Sequence, residues 1–373
     1  MPWNWQQADW PRFEHDPAAL EALEDRFLHR AGVLLGTMRH IQDEDRDQLV
    51  VQILSEEAVK TAQIEGEALD RDSVQSSIRR QFGLSADALQ ARPAERGIAE
   101  VMTDLYRDVS GPLDEARLFR WHTQLMQGRR DLHRVGGYRA HAEPMQVVSG
   151  PLHAPIVHFE APPSETVAAE MARFLAWFNA AGPGGSASLP PVTRAGMAHL
   201  YFVSIHPFED GNGRIGRAIS ELALSQALGR PTLLALSRTI EARKSAYYDA
   251  LESANKHNAI TDWLVYFGRT ILDAQAETHR FIAFLIEKTR VMDRVRGRIN
   301  ARQEKALLRM FREGPVGFTG GLSAGNYRSI TKAAPATATR DLNELVDLGV
   351  LVRTGERRYT RYHLNIELPD DIE

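Results

Sequence analysis

The sequence predicts a mainly α-helical protein whose helical body is followed by a small basic module of three helices and a two-stranded wing. Three observations lead there. Apolar residues recur at helical spacing along most of the chain. The stretch 136–163 drops that period for Pro, Gly and β-branched residues, and it is the main interruption. Beyond the charged turn Arg294–Arg298 the pattern restarts as short helices and strands.

Taken in order, residues 1–15 hold Trp3, Trp5, Trp10 and Phe13, expected as an extended arm whose rings pack on the first helices. Asp16-Pro17 opens a helix, a capping acid before a proline at the first helical position, running to about His40. A second helix covers Asp43 to Ile64 and stops at Gly66. Glu65 in its last turn faces the negative end of the helix dipole, so it is either a solvated Glu before a glycine cap or half of an ion pair. Helices follow at Asp72–Phe82, Ala94–Val109 and Asp114–Gln127, the last holding His122 as a structural histidine. Met145–Gly150 and Ile156–Phe159 read as two strands joined by a turn. Pro162-Pro163-Ser164 starts a helix through about Asn179, and Val192–Ile205 forms another, with Met197, Leu200 and Tyr201 in the core. Further helices are expected from Gly213, over Glu241–Lys256 and over Thr261–Val291. The last module comprises helices at Ala301–Glu313, Ala324–Ala333 and Ala336–Leu348, then strands at Gly349–Val352 and Arg361–Leu364. This is a winged helix-turn-helix pattern.

Composition narrows the function. The 373 residues leave room for two or three domains, and 43% hydrophobic with 25% charged residues is ordinary for a globular protein. A net charge of −4 implies no bulk attraction to nucleic acid or membrane. The absence of cysteine excludes disulfides and thiolate metal sites. Met1-Pro2-Trp3-Asn4-Trp5 lacks the features of a signal peptide, and no apolar run approaches the roughly 20 residues of a membrane span. The expected location is cytoplasmic. Residues 296–366 hold 13 Lys and Arg against 6 Asp and Glu, a net +7, so the remainder carries −11. That local basicity suits DNA. The candidate recognition helix, however, offers Asp341, Glu344 and Asp347 beside Arg340, a poor surface for phosphates. Winged modules also bind proteins, and both readings stand.

The chemistry concentrates in His206-Pro207-Phe208-Glu209-Asp210-Gly211-Asn212-Gly213-Arg214-Ile215-Gly216-Arg217. Pro207 ends the preceding helix. Gly211 and Gly213 let the backbone take positive φ and approach a ligand closely. A glycine turn feeding a helix N-terminus is an anion site, and Arg214 and Arg217, three apart, share one face from which to clamp the same anion. Asp210 beside that anion suits Mg²⁺, which takes one or two carboxylates plus phosphate oxygens. His206 is the natural acceptor for a hydroxyl proton.

HPFEDGNGRIGR resembles the signature of the Fic family, H-P-F-x-[D/E]-G-N-G-R-x-x-R, at every defined position. Thr61-Ala62-Gln63-Ile64-Glu65-Gly66 is similar to the family's inhibitory motif, [S/T]-x-x-x-E-[G/N], placed N-terminal to the catalytic one. The resemblance implies a Fic helical core at 96–293 with a β-hairpin flap. It also implies an N-terminal helical region at 1–95 containing the inhibitory helix (about 43–66), and the winged helix-turn-helix occupies 294–373. It implies transfer of AMP from Mg-ATP to Ser, Thr or Tyr hydroxyls of proteins, this chain included. His206 would be the base and Asp210 the Mg²⁺ ligand. Gly211, Asn212, Gly213, Arg214, Ile215, Gly216 and Arg217 would bind the nucleotide phosphates. Val147, Val148, Ser149 and Gly150 of the flap would lie nearest nucleotide and target, with Tyr247 and Asn255 on the nucleoside. Glu65 would pair with Arg217 and block the γ-phosphate. Relatives also use UTP or CDP-choline, or remove AMP, and a DNA-binding regulator whose site only senses nucleotide is the alternative. Expected partners are ATP, a protein hydroxyl, DNA or protein at the winged helix, and a second copy of the chain; a membrane is not among them.

Overall fold

The computed structural model describes residues 2–39, 43–86, 90–151, 155–315, 317–318 and 320–368. The chain divides into two compact units, residues 1–275 and 276–373. The first contains α1 (Glu21–Arg39), α2 (Asp43–Ile64), α3 (Arg71–Gln81), α4 (Pro93–Arg107) and α5 (Glu115–Leu125). A hairpin, β1 (Gln146–Ser149) and β2 (Ile156–Glu160), leads to α6 (Ser164–Ala180), α7 (Pro191–Ile205), α8 (Asn212–Leu228), α9 (Leu236–Ala242) and α10 (Lys244–Ala254). The long α11 (Thr261–Val295) runs from the first unit into the second. There it is followed by α12 (Ala301–Arg312), α13 (Ala324–Thr331), α14 (Pro335–Asp347), β3 (Leu351–Thr354) and β4 (Arg361–Leu364). Among the described residues no helix is long and apolar enough to cross a membrane.

Helices α7 and α8 form the centre of the first unit. α7 is buried from Val192 through Phe202 and α8 from Arg214 through Ser225, the mark of helices enclosed on every side. Gly216 permits their close approach, since a Cβ there would stand 3.0 Å from Val203 and 3.3 Å from His199. The start of α7 has no side-chain cap of its own. Instead Glu24 of α1 accepts the Val192 and Thr193 amides at 2.9 and 2.7 Å, a carboxylate at the positive helix end. Phe202 packs between Phe174 and Phe208, and burial of a ring that size contributes roughly 1.5–3 kcal/mol.

Two local expectations are corrected. The N-terminal arm packs on the hairpin base, α6 and α7 rather than on the first helices. Trp3 meets Phe159 edge-on at 5.3 Å, Trp10 meets Tyr201 at 5.2 Å, and the Trp5 indole donates to the Glu160 carbonyl. Aromatic faces lie there, at Phe174, Trp177 and Tyr201, and draw the rings. The single helix expected over Glu241–Lys256 is two, α9 and α10, broken at Arg243 (φ −130°, ψ 39°), whose guanidinium is held by Asp273.

In the second unit β3 pairs antiparallel with β4, and Leu322 bridges to Tyr362. Asp341 is not the surface acid that the sequence suggested. It is 2% exposed and accepts hydrogen bonds from Arg302, Tyr327 and Asn300 at 2.9–3.1 Å.

Candidate active site

The central helices meet at the glycine turn, and both of their facing ends are conformationally special. α7 ends at His206, which lies in the left-handed region (φ 51°, ψ 58°), and the proline after it disfavours the right-handed helical geometry that would continue the helix. Gly211 precedes α8 with φ 84°. Between them Asn212 staples the loop, its side chain bonding the Phe208 amide at 3.0 Å and the Phe208 carbonyl at 2.8 Å. Phe208 is fixed in turn by His122, stacked at 4.2 Å, whose Nδ1 accepts the Gly136 amide.

His206 Nδ1 lies 3.2 Å from the Val203 carbonyl. Donation to that carbonyl places the hydrogen on Nδ1 and leaves Nε2 as the acceptor. Burial pushes its pKa down to about 4, with the nearby Arg139 cation adding to the effect, so the ring is neutral at ordinary pH. Arg139 binds the His206 and Pro162 carbonyls and Ser164, fixing the exit of α7.

A cavity of about 920 Å³ opens above this turn. Of the phosphate-site residues expected, it is lined by His206, Asp210, Gly211, Asn212, Gly213 and Arg217. Glu65 enters from α2, Val147, Val148 and Ser149 from the hairpin, and Tyr247 and Asn255 from α10 and its end. Gly150, Arg214, Ile215 and Gly216 are not part of the lining. Ile215 is fully buried, while Gly216 faces α7. Tyr247 is buried with its hydroxyl 2.6 Å from His199, and Asn255 Oδ1 accepts Ser204 Oγ. Tyr248, not singled out by the sequence, offers the cavity a half-exposed ring.

The anion site at the start of α8 holds a carboxylate of the chain itself. A Cβ on Gly213 would stand 2.2 Å from Glu65 Oε1, so only glycine lets that carboxylate lie against the helix end. Arg217 donates to Glu65 at 2.7 Å, to Thr61 Oγ1 at 2.8 Å and to the Thr61 carbonyl at 3.0 Å. A cation thus meets the C-terminal end of α2, offsetting the misplaced acid there. Gly66 closes α2 with φ 83°, and the Glu67 amide bonds back to the Ala62 carbonyl. That turn brings a second acid into play: Glu67 accepts from Arg214 at 2.7 Å. Each motif arginine is therefore paired with a carboxylate of the same turn.

Asp210 sits between Arg214 and Arg129, at 3.1 and 2.5 Å. Burial would raise its pKa, but Arg214 and Arg129 outweigh it and keep the carboxylate ionised. Among the described residues no cluster of three or more His, Asp or Glu could cage a metal. Asp210 Oδ2 accepts one hydrogen bond and has a further lone pair, which suits Mg²⁺ held by one carboxylate together with phosphate oxygens.

The contact of α2 with α8 continues past Arg217. Glu57, Thr61 and Glu65 repeat every four residues on α2; Gly213, Arg217 and Glu221 do so on α8. Glu57 and Glu221 are buried together, Glu57 accepting the Ser237 amide. Burial raises Glu57 from 4.5 to about 7 and Glu221 from 4.5 to about 8, the neighbouring Glu57 adding to the rise at Glu221. Burial meanwhile lowers His199 from 6.5 to about 3 and His122 to about 4. The unfolded chain protonates those imidazoles below 6.5 while the fold does not, so stability falls as pH drops from there. Above 4.5 the unfolded chain releases carboxyl protons that the fold retains, so stability also falls as pH rises toward about 8. Above 6.5 only the carboxyl contribution remains. Thermal melting of the wild type should therefore weaken from about pH 6.5 to about pH 8.5, and Glu221→Gln should flatten that decline; an unchanged slope would count against the buried pair.

Residues 112–224 match a family model described as Fic/DOC family, and residues 3–84 match one described as Domain of unknown function (DUF4172). Several curated relatives bear the name Protein adenylyltransferase Fic. That of Culex quinquefasciatus is 40% identical over 86 residues and that of Drosophila virilis 38%, in each case 23% of this chain and 16% of the relative. The chain therefore spans about a sixth of the length of those relatives. Among solved structures, a Fic family protein from Desulfovibrio desulfuricans superposes with a TM-score of 0.54 at 21% identity, covering 96% of this chain and 99% of that one. Fic-1 from C. elegans gives 0.50 at 20% identity, covering 71% and 74%. These two are likenesses of fold.

Proposed function

The chain carries a Fic/DOC family domain, and from that premise we propose that it is a protein adenylyltransferase held in a self-inhibited state. The observation that carries this reading is the occupied anion cradle. A glycine turn, a helix N-terminus and Arg217 converge on one point in the cavity, and Glu65 stands there. Arg217 Nη1 remains a buried donor without a partner among the described residues, so the cradle has capacity beyond one carboxylate.

In the proposed reaction ATP displaces Glu65 and sets its phosphates against the Gly211–Gly213 amides and Arg217. His206 Nε2 takes the proton of a Ser, Thr or Tyr hydroxyl. The hydroxyl oxygen attacks the α-phosphorus, and pyrophosphate leaves with the bonding pair. Asp210 would hold the Mg²⁺ that accompanies ATP, which when bound offsets phosphate charge. Arg214, buried between Glu67 and Asp210, orients Asp210. The hairpin suits a docking edge: Val148, Ile156 and Val157 are 50%, 60% and 39% exposed, and an extended target segment can add to such a strand. Intact mass spectrometry after incubation with Mg-ATP, UTP or CDP-choline tests the reading. A gain of one AMP group from ATP is expected; no gain with ATP, from either the wild type or Glu65→Gly, would overturn it.

A second partner, duplex DNA, is favoured for the C-terminal unit by one observation. With Asp341 turned inward, Arg328, Lys332, Arg340, Arg353, Arg357 and Arg358 remain exposed around α13, α14 and the ribbon. Binding of a labelled duplex by the whole chain, weakening steeply as salt rises, is expected. Absence of binding at low salt would assign the unit to protein contacts.

A further inference from the structure

The N-terminal arm reaches the cavity wall through a buried relay that the mechanism above leaves unused. Asn4 is fully buried, and its Nδ2 lies 2.9 Å from Ser204 Oγ on α7. Ser204, also buried, lies 3.4 Å from Asn255 Oδ1 at the end of α10. The backbone of the arm grips the same place. The Asn4 amide donates to the Asn255 carbonyl at 2.8 Å, and Asn258 Nδ2 donates to the Asn4 carbonyl at 3.2 Å. Trp3 adds its ring, with the Lys256 ammonium 3.7 Å from its centre.

Counting donors and acceptors gives the relay a direction. The Trp5 amide can only donate, and at 2.8 Å it holds the Asn4 side-chain oxygen. Asn4 Nδ2 therefore donates to Ser204 Oγ, and the single hydroxyl hydrogen of Ser204 is left for Asn255 Oδ1. Asn255 then has its oxygen engaged and its Nδ2 without a partner among the described residues, on a side chain that lines the cavity beside Tyr247 and Tyr248. Resting on the nucleotide use in the adenylyl-transfer reading, we propose that Asn4 and Ser204 are positioning residues that hold Asn255 as a hydrogen-bond donor to an acceptor atom of the nucleoside. An amide set in advance binds without first losing its rotamer freedom. The arm thereby tunes the nucleoside end of the cavity, while the phosphates are held separately at α8.

The test is calorimetric binding of Mg-ADP and of Mg-pyrophosphate to the full-length Glu65→Gly protein. Added Asn4→Asp keeps the side chain's size and the backbone bonds of the arm, but its second oxygen takes the Ser204 hydrogen away from Asn255. Ser204→Ala cuts the relay without burying a charge, so it carries the test should Asn4→Asp fail to fold. Each is expected to weaken ADP binding roughly 2- to 12-fold, the contribution of one hydrogen bond, and to leave pyrophosphate binding unchanged. In an Asn255→Ala background neither should weaken ADP binding further, because residues that act through one group are not additive. Unchanged ADP affinity, an equal loss for pyrophosphate, or a full loss persisting with Asn255→Ala overturns the assignment. No ADP binding by Glu65→Gly itself overturns it as well. ADP binding with no AMP gained from Mg-ATP in the intact mass overturns the transfer reading alone.

Discussion

His206→Ala should lower AMP transfer by roughly 10²- to 10⁴-fold, the contribution of a positioned general base. The expectation follows from the ring's setting. Nδ1 is committed to the Val203 carbonyl, which leaves Nε2 as the neutral acceptor of a residue that lines the cavity. Burial places its pKa near 4, so the wild-type rate should hold down to about pH 5 and fail as the ring charges below it. The variant loses the ring's hydrogen bond to the Val203 carbonyl, about 0.5–1.5 kcal/mol, and so also melts earlier. Following transfer of radiolabelled AMP to an added protein acceptor, alongside thermal melting, separates the two losses. A variant that keeps its rate would remove His206 from the chemistry.

Glu65→Gly should raise AMP transfer, roughly 5- to 150-fold for a coupling of about 1–3 kcal/mol between Glu65 and the nucleotide phosphates. Loss of the carboxylate leaves Arg217, 3% exposed, as a buried charge hydrogen-bonded to Thr61 and without its Glu65 counter-ion. Such a charge destabilises the apo protein and favours a phosphate in its place. Melting temperature should therefore fall without nucleotide and recover with Mg-ATP more than in the wild type. Glu65→Gln, which keeps the shape and drops the charge, should give an intermediate rise. Equal rates for Glu65→Gly and wild type would dismiss the restraint.

What was legible in advance was local in sequence. Gly211, Asn212 and the Pro207 stop lie within six residues, and proline and glycine act on their own backbone, so the turn and the start of α8 could be read directly. The Glu65 pairing was legible through family resemblance; the residues themselves favoured a solvated Glu before the glycine cap. Other participants carried no local signal. Glu67 and Arg214 are 147 positions apart, Arg129 and Asp210 are 81, and Asn4 and Ser204 are 200.

By itself, therefore, the sequence determined where α2 and α7 stop, at Gly66 and before Pro207, and which side chains stand ready at the glycine turn. Those properties arise from short-range sterics and from apolar spacing. Only the tertiary structure decided what the turn holds. Asp341 became a core charge because Arg302 and Tyr327 close around it, although its sequence neighbourhood reads as a solvated helix face. The cradle of α8 receives Glu65 because α2 and α8 pack with matching four-residue stripes, which sets Gly213 against one carboxylate and Arg217 against both it and Thr61. Electrostatics at a few ångströms depend on which distant segments packing brings together, and the order of residues along the chain does not contain that distance.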